Sequence, residues 1–253
     1  MLKLMKYEFR KQAFSKLVIL LLLGIIELLF FIGIFTDKGD MIGTAAVILI
    51  LFTFGALFFL AFESIITYNN DLKQKSSYML FLTPHTSYSI VGAKVLAAGI
   101  QILLAGIAFF VVYLIDITVI FGRYNEIEKL MELINQLLKE LFSLEINMKD
   151  VISVVAVLIT SWISTITVAF FSITLSTTFL ANFKLKGLVS FLIFIVINYA
   201  FNSIVIAALG HNYDIKNLSQ LTTYYILQSI FMLGFTVVTY IGTAWMLEKK
   251  VSV

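Results

Sequence analysis

Cysteine is missing from this chain, proline occurs once, histidine twice, and charged side chains make up only 13% of the residues. Without cysteine there are no disulfides and no thiolate-held metals. The two histidines, His85 and His211, fall on opposite sides of the membrane in the layout derived below, so they share neither a metal nor a proton. No G-x-x-x-x-G-K-[ST] phosphate loop is present, which excludes nucleotide hydrolysis of that kind by this chain. H-E-x-x-H and G-x-S-x-G are absent as well, which leaves no zinc-protease or serine-hydrolase motif. The shortage of charge excludes most. Soluble domains carry about 25% charged and about 45–50% apolar residues, whereas 60% of these 253 residues are hydrophobic.

Long apolar runs take the place of charge. A helix needs roughly 20 apolar residues to cross the ~30 Å hydrocarbon core. Six runs meet that need: Leu17–Phe35, Met41–Phe62, Val95–Phe121, Val151–Ala181, Leu188–Leu209 and Thr222–Leu247. The short alternating segments of a transmembrane barrel are absent. The first run follows basic residues, as a secretory signal would. Its length, and the lack of a small-residue cleavage site after "FFIGIFTDKGD", favour a retained span. The expected fold class is an all-α membrane protein with six transmembrane helices in one domain over residues 1–253.

Lysine and arginine favour the cytoplasmic side. With the N-terminus inside, the inner segments hold Lys3, Lys6, Arg10, Lys11, Lys16, Lys73, Lys75, Lys94, Lys184, Lys186, Lys249 and Lys250. The outer segments hold Lys38, Arg123, Lys129, Lys139, Lys149 and Lys216, half as many. Both termini are therefore expected in the cytosol. The aromatic belts agree: Tyr68 and Trp245 fall at inner ends, and Tyr113, Tyr124, Tyr224 and Tyr225 near outer ends. Trp162 sits well inside its span and is expected to pack.

Three segments do not span. Residues 1–16 place Leu2, Met5, Phe9 and Ala13 on one helical face with Lys3, Lys6 and Arg10 beside it, the pattern of an in-plane interfacial helix. A solvated basic tail is the alternative. Residues 124–147 repeat Ile127, Leu130, Ile134, Leu137 and Leu141 at steps of three and four among Glu and Lys. This amphipathic helix is too charged to span and is expected outside, as a cover over the span ends. The third segment, residues 68–90, holds the only proline and faces the cytosol. Its "DLKQKSSYMLFLTP" suits a short helix ending near Pro84, apolar at Leu72, Met79, Leu80, Phe81 and Leu82 and polar at Asp71, Lys73, Gln74 and Lys75. A plain connector has little need of so many large apolar residues at its tip.

Ionisable groups inside the spans are few: Glu27 near the middle of the first, Asp116 about one turn from the outer end of the third, and Glu63 at the inner end of the second. Burying Glu27 costs about 2.5–3.5 kcal/mol on insertion scales, so it faces protein or a wet cavity. A role in transport and a protonated side chain bonded to a neighbouring helix both fit. Gly92, Gly99 and Gly106 recur every seven residues, with Ala98 and Ala105 alongside, a stripe on which helices can approach closely. Thr160, Ser164, Thr167, Thr174 and Thr178 form a hydroxyl stripe on the fourth span, and Asn198 and Asn202 a polar pair on the fifth. These positions serve either as helix–helix glue or as a mildly polar wall for an amphiphilic substrate.

This layout resembles the permease subunits of type-2 ATP-binding-cassette (ABC) exporters. Tyr68, Asp71, Lys75, "YMLFLTP" (Tyr78 to Pro84), Ser87, Ile90 and Lys94 look like the signature of a clade common in Gram-positive bacteria, and the closing "WMLEKKVSV" is similar to how such chains end. The resemblance implies a coupling helix that docks on a separate ATPase, formed or supported by Asp71, Leu72, Lys75, Tyr78, Met79, Phe81, Thr83 and Pro84. It implies that the chain is not itself an enzyme, holds no cofactor or metal, and leaves ATP and Mg to the partner. Two ATPase copies and a second permease, identical or a close paralogue, would complete the assembly in a bacterial cytoplasmic membrane. The substrate path would run between the permeases, with Glu27, Thr160, Ser164, Thr167, Asn198 and Asn202 as candidate positions, and no nucleic acid is involved. Relatives in that clade export bacteriocins, lantibiotics and phenol-soluble modulins, which puts an amphipathic peptide first and a lipid or small drug second. The large outer segment departs from the family: members often carry theirs between spans five and six, here it lies between three and four. The rival from another class is a channel or sensory subunit with no ATPase.

Overall fold

The computed structural model describes residues 1–73, 85–124, 132, 135–136, 148–179, 185–209 and 218–249. Among them are seven helices: α1 Leu2–Lys11, α2 Ala13–Phe35, α3 Gly39–Lys73, α4 Ser87–Arg123, α5 Met148–Phe179, α6 Lys186–Leu209 and α7 Leu218–Lys249. No strand occurs among the described residues. Helices α2 to α7 are each long and apolar enough to cross a bilayer. Large apolar side chains such as Leu21, Phe54, Phe58 and Val196 are exposed on them, as befits a polytopic membrane protein whose outer solvent is lipid.

Each expected run falls on one of these helices as far as the described residues reach, and several helices outlast their runs. α3 continues past Phe62 to Lys73, and α4 begins at Ser87, so much of the expected loop 68–90 is helix. Packing explains the extension. Tyr68, Asp71 and Leu72 are buried, and tertiary partners carry polar turns that composition alone assigns to a loop. The extracellular helix expected over 124–147 lies almost wholly outside the described residues. So do Leu180 and Ala181 in the fourth span and the closing "KVSV".

The chain divides into two compact units. One comprises Lys6–Glu63 and Ile100–Glu145, here called the hairpin unit; the other comprises Met1–Met5, Ser64–Gly99 and Ile146–Val253, the bundle unit. α3 and α4 each contribute a stretch to both.

In the hairpin unit, α2 ends at Thr36 and the chain reverses at once. The Lys38 N–H donates to Gly33 O at 3.1 Å and the Asp37 N–H to Ile34 O at 3.4 Å, the bonding pattern that closes a helix through one left-handed residue. That residue is Asp37, with φ at 52°; a short polar side chain tolerates the conformation better than a bulky one. The reversal brings α3 so close that a Cβ on Gly33 would lie 3.1 Å from the Ile42 nitrogen. Leu23, Phe30, Ile34, Leu49 and Phe109 form the core. At one end Arg123 pairs with Asp37 at 3.2 Å, an exposed contact worth about 0–1 kcal/mol. At the other end Glu63 accepts from the Ser15 hydroxyl and from Lys16 Nζ at 3.5 Å.

In the bundle unit, α5 is the central element and α6 and α7 pack against it. Thr239 Oγ1 donates to Thr167 Oγ1 at 3.2 Å, and the Thr222 hydroxyl donates to the Asp150 carboxylate, both between α7 and α5. Ser176 and Ser190 share a 2.7 Å bond between α5 and α6. Phe201 and Phe235 stack with centroids 4.0 Å apart, joining α6 to α7. A Cβ on Gly242 would lie 2.7 Å from Phe171 Cε2, so this glycine is what lets the Phe171 ring seat on α7. Trp162 packs on the same core, as its depth in the span leads one to expect.

Candidate functional site

The segment that carries the family resemblance begins where α3 ends and finishes where α4 begins. Residues 74–84 lie outside the described residues, and with them Lys75, Tyr78, Met79, Phe81, Thr83 and Pro84. What is described is the framework on either side, all within the bundle unit. Asp71 on the last turn of α3 accepts from Lys94 Nζ of α4 at 2.5 Å, with both side chains almost wholly buried. One α3 turn earlier, the Tyr68 ring stacks on Phe170 of α5 with centroids 4.1 Å apart. Its hydroxyl sits 2.5 Å from Thr174 Oγ1. The Thr174 proton goes to the Phe170 carbonyl at 2.8 Å, so the tyrosine is the donor.

Around these bonds lie Val91, Val95, Ile166, Ile173 and Leu247 in one apolar cluster. Beside them, Leu4 of α1 packs on Ile90 and Ala93 of α4, and the Tyr240 hydroxyl donates to the Tyr88 carbonyl at 2.7 Å. Burying two charges is repaid only by close geometry and further hydrogen bonds. The arrangement therefore holds together only when both partners are in place, and it fixes the two helix ends from which residues 74–84 run.

Tyr68 is fully buried, its ring and hydroxyl held by Phe170 and Thr174. Asp71 and Leu72 are buried too, so within this chain they pack against protein at the end of α3. Lys94 appears in the sequence only as one more inner cation; its pairing with Asp71 across 23 positions has no local signal beyond two opposite charges near the ends of apolar runs.

The other singled-out residues scatter. Leu2 and Arg10 of α1 are exposed, Met5 and Phe9 half-buried, and the residues that α1 and the link after it bury are Leu4, Glu8 and Gln12. Periodicity found an apolar stripe but not which side meets protein. Thr160, Ser164 and Thr167 are buried on α5; Thr160 bonds its own helix at Ala156 O, 2.7 Å, and Thr167 bonds Ser164 O at 2.9 Å. Asn198 donates to Phe194 O at 2.8 Å, while Asn202 is exposed on α6. Of the glycine stripe, only Gly92 makes a close approach, where a Cβ would lie 3.1 Å from the Tyr240 hydroxyl; Gly99 and Gly106 face open space. A seven-residue interval drifts ~20° per repeat on a straight helix, which turns successive glycines away from one partner.

Glu27 lies in the hairpin unit beside Asp116 of α4, and neither Glu27 oxygen has a hydrogen-bond partner among the described residues. Both line a cavity of about 480 Å³ between α2, α3 and α4. The sequence held a signal for this pair. Glu27 stands eight residues before the end of α2 and Asp116 seven before the end of α4, which at 1.5 Å per residue puts them at about 12 and 10 Å from those ends. Searches with protein-family models, among curated proteins and among solved structures find no match to this chain.

Proposed function

We propose that this chain is the membrane permease of an ATP-driven exporter of the type-2 ABC class, moved by a separate ATPase that docks on residues 74–84. The observation that supports it best is the buried brace at the ends of that segment, Asp71 with Lys94 and Tyr68 with Thr174. A connector between two spans needs no such brace. A handle that transmits force does, because displacement applied to a loosely held loop is lost before it reaches the spans. On this reading Lys75, Tyr78, Met79, Phe81, Thr83 and Pro84 meet the ATPase, Asp71 and Leu72 hold them, and ATP and Mg stay on the partner.

Both termini lie in the cytosol of a bacterial cell, as the lysine and arginine distribution supports. α1 rests in the headgroup plane, with the exposed Leu2 toward the acyl chains and the exposed Arg10 toward phosphates. A second permease copy packs on α6, whose exposed Asn202 is a polar side chain in want of a partner within lipid. The cargo is amphiphilic, first an amphipathic or antimicrobial peptide, since few charges and many hydroxyls line the helices. The test is purification of the tagged full chain from native membranes. Stoichiometric recovery of an ATPase with a phosphate loop, and stimulation of its turnover by amphipathic peptides after reconstitution, is the expected result. Recovery of the chain with no nucleotide-hydrolysing partner favours the channel or sensory reading.

A further inference from the structure

Unpaired polar groups are rare in a membrane interior because each costs free energy unless something meets it. The hairpin unit holds such groups around its cavity. Glu27 Oε1 and Oε2 and Asp116 Oδ1 are buried and have no hydrogen-bond partner among the described residues. The Asp116 residue as a whole is 6% exposed and lines the cavity. The rest of the wall is apolar and rich in rings: Phe30, Phe54, Phe109, Phe110 and Tyr113. Gly106 faces this space with no atom within 4 Å of where its Cβ would stand, so the glycine leaves volume that any other residue would fill.

We infer that this cavity is a binding site for a lipophilic monocation, an apolar body carrying one ammonium- or phosphonium-like charge. Three features select that class. The volume of about 480 Å³ falls within the roughly 300–1,000 Å³ of small-molecule pockets. Two neighbouring carboxyls, Glu27 and Asp116, line the wall with unpaired acceptor oxygens that suit a positive group. Aromatic faces attract cations at about 0.5–2 kcal/mol each while solvating an apolar body.

A bare metal ion fits less well. Hard cations take six or more oxygens, and no group of three or more acidic or histidine side chains suited to a metal occurs among the described residues. An anion is excluded by the carboxyls. The inference extends the proposed function by naming a ligand class, and it rests on that reading only for the statement that the ligand is cargo; binding itself requires no ATPase.

The experiment uses the purified full chain in nanodiscs of neutral phosphatidylcholine, with radiolabelled tetraphenylphosphonium as the probe and tetraphenylborate, its anionic match in shape, as the control. Saturable binding near one probe per chain is expected, without competition from tetraphenylborate. The Glu27→Gln/Asp116→Asn double variant is expected to weaken it roughly thirtyfold or more, the range for removing one partner of a buried charge contact. Gly106→Leu tests the cavity independently of charge: its side chain enters open space, and it should weaken binding while leaving the protein monodisperse. No saturable binding by the wild-type chain, equal binding by both variants, or equal binding of tetraphenylborate overturns the inference. Any of those results leaves the ATPase-coupled reading standing, and a missing ATPase leaves a positive binding result standing.

Discussion

The Asp71 region of the bundle unit and the Glu27 region of the hairpin unit handle buried acids in opposite ways. In the bundle unit, Asp71 meets Lys94, Tyr68 meets Thr174, Ser176 meets Ser190 and Thr239 meets Thr167. In the hairpin unit, Glu27 and Asp116 stand side by side at an open volume, with no hydrogen-bond partner for either Glu27 oxygen. The same kinds of side chain thus form a brace in one region and an unsatisfied site in the other. Composition cannot separate these uses, since a lone acid in an apolar run looks alike in both. Pairing separates them: a polar group with a built partner holds structure, and one without a partner, next to a void, waits for a ligand.

Substitutions can break this contrast or sharpen it. The largest effect is expected from Lys94→Ala, which strands a buried Asp71 carboxylate and should cost about 3–5 kcal/mol, read as a fall in the thermal midpoint in detergent. Replacing both partners, Asp71→Leu with Lys94→Met, should recover much of that loss, because a buried pair contributes little net stability over well-packed apolar groups. If the double substitution is as damaging as the single one, the brace is not an isolated pair.

A middle-sized effect of about 1–3 kcal/mol is expected from Gly242→Ala, which would push a methyl into the Phe171 ring. The matched Gly99→Ala change, in open space, should be neutral or stabilise by up to about 1 kcal/mol through helix propensity. Equal outcomes at the two glycines would mean that the α5–α7 approach is looser than described.

Glu27→Leu should move stability the other way. It removes a carboxyl that gains no donor and should raise the thermal midpoint, by about 1 kcal/mol or more, while abolishing cation binding. A loss of stability there would place Glu27 among the structural pairs. The smallest change is Tyr68→Phe, which keeps the stacking on Phe170 and gives up one hydrogen bond, about 1 kcal/mol by the same measurement.

The number, order and approximate limits of the spans were legible, because roughly 20 apolar residues in a row admit few other structures. Helix ends were less so. α3 runs to Lys73 and α4 starts at Ser87 because Asp71, Lys94 and Tyr68 find partners far along the chain, and no local pattern carries those pairings. The face of α1 that meets protein was missed for a related reason: in a membrane, apolar side chains turn toward lipid as readily as toward a core, so Leu2 is exposed while Glu8 and Gln12 are buried. Glu27 was singled out as unusual, but Asp116 was weighed apart from it. Counting back from the C-terminal ends of α2 and α4 would have joined them.

Cross-linking at Phe81 tests the central claim most directly, and the lack of native cysteine makes the label specific. The Phe81→Cys chain, carrying a short photoreactive probe on the introduced thiol, is illuminated in native membranes and the adducts are identified by mass spectrometry. The account predicts a dominant adduct with a phosphate-loop ATPase, weakened when Lys94→Ala loosens the brace beneath. Adducts with lipid alone, together with free reaction of the unlabelled thiol with a water-soluble maleimide in intact complexes, would contradict it.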